Sequence, residues 1–288
     1  MEKEFVVKEN GITLRTAVPL LNIVGMSIEI RENEHGKGQL EAVVREEYAK
    51  EILHMDFGGK EIAVEEESGN LLFDGFLETA EFRVENGYVS LRAEFVSRSI
   101  LLDREKKCRS FQRVEMTYEQ VAAEVVNDYS NSGYFWKTKP DCQICFPVIQ
   151  YEETDWELMI RLASHFHTVV YPGYRSRRTL FLLGTEKGKK QELESGNILK
   201  WGIGDNYYSE GCYGEGKSRR GSVYIEARGG MGWDIGDVAE WEGLEYMVFR
   251  KNILFEKGET VCTYLLGRDC FAYRKRKRNE TKTFGASG

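Results

Sequence analysis

Along much of the chain apolar and polar residues alternate with a period of two, and in the middle the period lengthens to that of a helix. In "LLFDGFLETAEFRVENGYVSLRAEFVSR" (71–98), Phe82 and Val84 alternate with charge. "ENG" turns the chain at 85–87, and Val89, Leu91, Ala93 and Phe95 then alternate with Ser90, Arg92 and Glu94. Such alternation puts one set of side chains on a buried sheet face, and Asn-Gly suits a two-residue turn, so a β-hairpin is predicted. "QLEAVVRE" (39–46) and "KEIAVEEE" (60–67) predict further strands, and only "REEYAKEILHM" (45–55) has helical character within residues 1–104. From 222 to 273 the pattern is β again, in "SVYIEA", "DVAEWEG", "EYMVFRKNILFE" and "ETVCTYLLGRDCFAY", with a turn at "FEKG" (255–258).

Between these regions, Val121, Ala122, Val125, Val126 and Tyr129 fall on one helical face, and Thr117 with Gln120 forms a capping box that fixes the helix start. The recipe repeats in "TDWELMIRLASHFH", with Thr154 and Glu157 as the cap and Leu158, Met159, Leu162, Ala163 and Phe166 as the face. "SNSGYFWKTKPD" reads as turn-rich, "ICFPVIQYEE" as a strand, and "HTVVYPGYRSRRTLFLLG" as strand, Pro-Gly turn and strand. Residues 184–222 read as Gly- and charge-rich loops around one strand.

The two β regions echo each other. Glu85-Asn86-Gly87 followed by a strand reaching Arg98 and Arg104 resembles Glu256-Lys257-Gly258 followed by a strand reaching Arg268 and Arg274, at an offset of 170 with a one-residue slip at the turn.

Composition narrows the class. The 288 residues predict about two domains. With 41% hydrophobic and 30% charged residues the chain is of globular type, and a net charge of −7 argues against a free-standing nucleic-acid binder. No apolar run approaches the roughly 20 residues of a membrane helix, and "MEKEFVVKENG" lacks the apolar core of a signal peptide. The six cysteines are expected as reduced thiols. Cys142 and Cys145 form a lone CxxC with no second ligand pair nearby, so they are expected to pack rather than bind zinc.

Chemistry could reside in the acids and histidines of "YEETDWELMIRLASHFH". A cell-wall hydrolase would use Glu152, Glu153 or Asp155 with His165. Structural roles compete. Asp155 and Glu157 fall in the first helical turn, where negative charge offsets unpaired amides, and His165 falls in the last turn. His165 and His167, two apart, do not share a helical face, and His167 is expected to begin the next strand. A third possibility is a β-rich ligand-binding module with exposed Tyr207, Tyr208 and Trp233. The basic run Arg274, Lys275, Arg276, Lys277 and Arg278 is a candidate nucleic-acid or partner contact against a solvated linker, and "RSRR" (175–178) is expected at a hairpin tip.

"CRSFQRVEMTYEQVAAEVV" (108–126) followed by "VIQYEETDWELMIRLASHFHTVVYP" (148–172) resembles the hub proteins of contractile tails, which include the phage late-control D proteins and the N-terminal region of the VgrG-type spike proteins. The likeness rests on Arg109, Phe111, Gln112, Thr117, Gln150, Tyr151, Glu153, Thr154, Asp155, Trp156, Arg161 and Leu162. It implies a β-rich α+β fold with two related β-barrels flanking a small α/β middle that carries two capped helices. The implied division is a first barrel at 1–104, the middle at 105–190, a second barrel at 191–278, and a tail or spike-linking segment at 279–288. It also implies a homotrimer that adapts a six-fold tail tube to a three-fold central spike, with these motif positions structural and no catalytic residue, cofactor or metal. Implied partners are the tail tube protein, the spike, baseplate wedge components, and cargo or DNA in the lumen, but no membrane. Assembly would take place in the bacterial cytoplasm. The VgrG-type proteins continue into an oligosaccharide-binding-like barrel and a β-helical spike where this sequence reads "TKTFGASG", so the spike is expected on a separate chain or on a longer form of this one.

Overall fold

The computed structural model describes residues 4–48, 50–85, 87–203 and 223–268. The N-terminal half consists of β1 (Phe5–Glu9), β2 (Ile12–Thr16), β3 (Leu20–Ile30), β4 (Lys37–Val44), β5 (Glu61–Glu66), β6 (Leu71–Glu85) and β7 (Tyr88–Ser97). These pair antiparallel in the order β1-β2-β5-β6-β7-β4-β3. β1 lies beside β3, and the Ile23 amide donates to the Glu9 carboxylate at 2.8 Å, so the two ends of the run lie side by side. Alternation explains the arrangement: Leu91, Ala93 and Phe95 are buried, whereas Arg92 and Glu94 are exposed. The helix expected at 45–55 is replaced by two single 3₁₀ turns, Glu46–Tyr48 and Ile52–His54.

The middle contains β8 (Lys106–Phe111), α1 (Tyr118–Val126), β9 (Ser132–Trp136), β10 (Val148–Thr154), α2 (Asp155–His165), β11 (Val170–Pro172) and β12 (Thr179–Leu183). β8 pairs with β10, while β12 joins β11 antiparallel and β9 parallel. Both helices start at the predicted capping boxes, with the threonine hydroxyl and the Gln120 or Glu157 side chain bonding reciprocally. Each cap contributes on the order of 1 kcal/mol. The turn-rich reading of 130–141 needs correction, because it contains β9. Its aromatic residues suit a pleated surface, and Tyr134 stacks on Phe181 at 5.9 Å. The CxxC segment packs through Ile144, which is fully buried, and leaves Cys142 and Cys145 exposed.

The C-terminal half is β13 (Lys190–Gln191), β14 (Ile198–Ile203), β15 (Val223–Gly229), β16 (Val238–Trp241), β17 (Leu244–Glu256) and β18 (Glu259–Gly267). Its strands lie in the order β14-β15-β18-β17-β16, the same order as β3-β4-β7-β6-β5 in the first half and with the same chain sequence. The two hairpins superpose in register. Glu85 pairs with Tyr88 as Glu256 does with Glu259, and both ladders break at one place, between Leu77 and Thr79 and between Val248 and Arg250. The offset is a constant 171 residues (Leu77 to Val248, Glu85 to Glu256). This corrects the offset of 170 read from the sequence: the hairpins contain no slip, so Ser97, not Arg98, corresponds to Arg268. Outside this five-strand unit the copies diverge, since β2 joins β5 antiparallel but β13 joins β16 parallel.

β17 connects the halves. Along one edge it pairs first with β16 at residues 244–247 and then with β3 at residues 251–256, making one 13-stranded sheet. The buried side chains of both halves accordingly form one cluster, which also takes in Val169, Tyr171 and Tyr174, while the middle has its own cluster around α1 and α2. β11 is the wall between them, with Tyr171 on one side and Val170 on the other. The Tyr171 hydroxyl donates to the Phe249 carbonyl at 3.0 Å, and the backbone of Val170 exchanges two hydrogen bonds with Asn33.

Candidate functional site: a buried carboxylate clasp

The motif residues of the middle gather around the carboxylate of Asp155, which is fully buried at the first position of α2. β8 brings Lys107 and Arg109 to one side by its period of two, and β10 brings Gln150. Arg109 donates to one Asp155 oxygen and, through Nε, to Gln150 Oε1 at 2.6 Å. Gln150 Nε2 donates to the same Asp155 oxygen at 2.9 Å and to the Glu153 carbonyl at 2.9 Å. The other oxygen accepts the Tyr129 hydroxyl at 2.5 Å and faces Lys107 Nζ at 2.9 Å. Asp128 lies outside this group, bonding Lys107 at 2.9 Å and Arg109 at 2.8 Å.

Burial by itself would raise the pKa of Asp155. The hydrogen bonds from Tyr129, Lys107 and Gln150 and the charge of Arg109 outweigh it and hold the carboxyl below its ordinary range. Asp128 is lowered chiefly by its hydrogen bond from Lys107. Tyr129 is pushed up to about 12, first by burial and then by Asp155. A charge surrounded in this way has its lone pairs filled by the protein and none left for a substrate.

The neighbouring motif residues act likewise. Arg161 grips Glu153 with two bonds of 2.9 and 2.7 Å. Thr154 caps α2 and its hydroxyl donates a hydrogen bond to Asp103. Trp156 is buried with its ring 4.4 Å from His35, whose two ring nitrogens meet Ser99 at 2.8 Å and Asp103 at 3.2 Å. Phe111 and Leu162 are core residues of the middle, Thr117 caps α1, and Gln112 and Tyr151 lie at the surface. The Ser99-His35-Asp103 row has the composition of a hydrolase triad, but Ser99 is 1% exposed and its hydroxyl lies 2.8 Å from that of Ser97. It is a strut between the N-terminal half and α2. Burial also opposes ionisation of Asp103, and the bonds from His35 and Thr154 overcome it, leaving its pKa low.

The residues of the hydrolase alternative are not brought together. Glu153 is held by Arg161, Asp155 is enclosed, and Glu152 points from an exposed bulge where its φ is 47°. His165 lies at the far end of the 11-residue helix, roughly 15 Å away, with its ring 5.1 Å from Tyr118. His167 does not start the next strand. With φ 54° it forms the left-handed end of α2, its amide bonding Ser164 and that of Thr168 bonding Ala163, which are the paired bonds of a Schellman motif. A 560 Å³ depression lies elsewhere, around Glu41, Arg83, Tyr88 and Arg92. Among the described residues no group of three or more His, Cys, Asp or Glu side chains could hold a metal.

One other expectation changes. Trp233 is buried against Tyr264 at 5.1 Å, so it offers no exposed ring to a ligand. The arginines of 175–178 lie in the β11–β12 hairpin loop as expected, but they reach out of it to other strands: Arg175 bonds the Leu71 carbonyl and Asp234, Arg177 meets Glu65, and Arg178 reaches the Ser132 carbonyl. Tyr207, Tyr208, Arg274, Lys275, Arg276, Lys277 and Arg278 lie outside the described residues. Sequence reasoning missed Lys107, Tyr129, Asp103 and His35 as partners of the motif. Only the i, i+2 spacing of Lys107 and Arg109 signalled one of them.

No protein-family model and no curated protein matches this sequence. Solved structures do match its fold. The Escherichia coli c3393 protein is a component of the type VI secretion system described as structurally similar to the bacteriophage T4 tail proteins gp27 and gp5. It aligns over 94% of this chain and 79% of its own, with a TM-score of 0.67 at 10% identity. The 43 kDa tail protein of prophage MuSo2 from Shewanella oneidensis aligns over 90% and 98%, with a TM-score of 0.64 at 13% identity. A tail protein from Neisseria meningitidis MC58 aligns over 91% and 98%, with a TM-score of 0.64 at 10% identity. The chain therefore has the β-rich α+β fold of phage tail and secretion-system tail-like proteins.

Proposed function

We propose that this chain is a structural baseplate hub of a contractile tail or injection system, acting as a homotrimer between a six-fold tail tube and a three-fold spike. The observation that carries the reading is the internal repeat: one chain presents the five-strand unit twice, so three chains present it six times. A ring of this kind offers a six-fold tube near-equivalent contacts while keeping three-fold symmetry for the spike. The likeness of the fold to tail proteins supports the same role. In this reading the parts are a first barrel at 1–104, the middle at 105–190, a second barrel at 191–278, and a tail or spike link at 279–288. The clasp around Asp155 ties β8, β10 and α2 of the middle together, and its role is architectural rather than catalytic. Partners are the tube, the spike, wedge components, and cargo or DNA in the lumen, with assembly in the bacterial cytoplasm before incorporation into the particle.

The test is to purify particles from cells that carry or lack this chain. Three copies per particle at the spike end, and no assembled particles without it, are expected. Particles of normal form lacking the chain would overturn the reading. So would a Glu153→Ala, His165→Ala variant that assembles normally yet loses cell-wall cleavage.

A further inference from the structure

The internal repeat makes one loop and one strand of each half counterparts, and the two halves fill the space between them differently. β4 and β5 correspond to β15 and β16, so residues 45–60, which join the first pair, correspond to residues 230–237, which join the second. By the constant hairpin offset, Ala80 corresponds to Lys251 and Ala93 to Tyr264; Ala80 opposes Ala93 as Lys251 opposes Tyr264. In the second half the two large side chains occupy the space under the loop. Lys251 Nζ donates to the Met231 carbonyl at 2.9 Å and the Trp233 carbonyl at 2.6 Å, and lies 5.8 Å from the centre of the Tyr264 ring. The Tyr264 hydroxyl donates to the Gly230 carbonyl at 2.6 Å, and Lys251 is fully buried.

In the first half the two alanines leave room. A 390 Å³ depression lies between loop and strand, lined by Ile52, Met55, Asp56 and Phe57 of the loop and by Ala80 and Phe82 of β6. The Phe57 and Phe82 rings are 5.2 Å apart, Ile52 and Phe57 are buried, and Met55 is 38% exposed at the rim. Asp56 is the one charged residue of the lining, and it is exposed. Its Oδ1 accepts the Gly58 amide at 3.1 Å, and among the described residues its Oδ2 has no hydrogen bond or ion pair. Apolar walls with a single carboxylate at the mouth suit a side chain that has an apolar stem and a cationic end.

We propose that this depression is a docking pocket for a lysine side chain of a partner polypeptide, which takes from outside the place that Lys251 takes from inside in the second half. The methylene stem lies against Phe57, Phe82 and Met55, and the ammonium reaches Asp56 Oδ2 beside the face of a phenylalanine ring. Unbranched, polarizable methionine adapts to such a stem. Lysine fits better than arginine for a geometric reason. A guanidinium fork is satisfied by both oxygens of a carboxylate, and Asp56 has one of its two engaged by Gly58, whereas an ammonium needs a single acceptor. The pocket rests on the repeat and on its own side chains, and it does not depend on the hub reading.

The test is titration of the full chain with the peptide acetyl-Gly-Gly-Lys-Gly-Gly-amide, read by amide NMR shifts, beside the same peptide with norleucine or arginine in place of lysine. Saturable shifts centred on residues 52–58 and 80–82 are expected. The norleucine peptide should bind about fivefold more weakly, and so should the lysine peptide to the Asp56→Asn variant, which is changed at an exposed position. Ala80→Lys should fill the depression from within, as Lys251 does, and abolish binding. Shifts that never saturate, or that centre elsewhere, overturn the proposal. Equal binding of the norleucine peptide, or undiminished binding by Asp56→Asn, overturns it as well, and tighter binding of the arginine peptide overturns the choice of lysine. Binding retained by a folded Ala80→Lys variant overturns the placement, and if that variant does not fold, Asp56→Asn decides.

Discussion

The hairpin of β6 and β7 and the hairpin of β17 and β18 share one ladder, one bulge position and one turn length, yet only the second has its outer edge filled. The difference lies in their neighbours. β3 covers β17, and nothing among the described residues continues the ladder on the distal half of β6. Backbone geometry has been retained while the side chains serve different surroundings. Where β6 has Ala80, β17 has Lys251, a lysine 1% exposed whose ammonium donates to the carbonyls of Met231 at 2.9 Å and Trp233 at 2.6 Å. Burial lowers its pKa. The middle, which occurs once, is held differently, by charge gathered on one carboxylate.

That contrast sets the largest expected effect. Asp155→Ala leaves Lys107 and Arg109 beside an empty buried site and is expected to cost about 3–5 kcal/mol in urea denaturation. A loss below about 1 kcal/mol would show that the clasp is not what holds the middle. Between the two hairpins, Ile253→Ala is expected to cost about 2–4 kcal/mol in the isolated chain. Phe82→Ala, at a half-buried site, should cost about 1 kcal/mol. Equal losses would mean that the two edges are equally covered and would break the comparison.

Acid should separate the regions as well. Asp155, Asp128 and Asp103 all have folded pKa values below the ordinary range, so their stabilisation is present above about pH 4 and is lost as pH falls through the folded values. Asp74 on β6 has the opposite sign, because its burial outweighs Arg98 and raises its pKa, and its contribution is lost as pH rises. Amide exchange is therefore expected to quicken in α2 and β8 before β6 on acidification, and Asp155→Asn should flatten the change. Exchange quickening first in β6 would contradict this assignment. The smallest effect belongs to Glu152, exposed at φ 47°: Glu152→Gly should stabilise by about 1 kcal/mol or less, because glycine accepts that backbone without strain. A loss of stability would give the carboxylate a role that the structure does not.

Local order was legible in the sequence, and long-range order largely was not. The Asn-Gly and Lys-Gly turns, the alternation at 82–95 and the caps at Thr117 and Thr154 are effects of adjacent residues, and each marked its element. β9 went unread because Asn, Ser and Gly around it spoke for turns, and its pairing with β12 comes from residues more than 40 positions away. The motif residues Arg109, Gln150 and Asp155 were visible as a pattern. That they meet on one buried carboxylate, with Lys107 and Tyr129, depends on β8 lying beside β10. The join of β3 to β17 had no local signal, since an edge strand and a covered strand can have the same alternation.

The claim on which the account most depends is that the covered edge of β17 and the bare edge of β6 are one surface in two situations. Amide exchange read on both, in the isolated chain and in the assembled particle, tests it directly. The alternate amides of residues 80–85 that point away from β7 should exchange fast in the isolated chain and become protected on assembly, while residues 251–256 stay protected throughout. Protection of 80–85 in the isolated chain, or fast exchange there in the particle, would contradict the account.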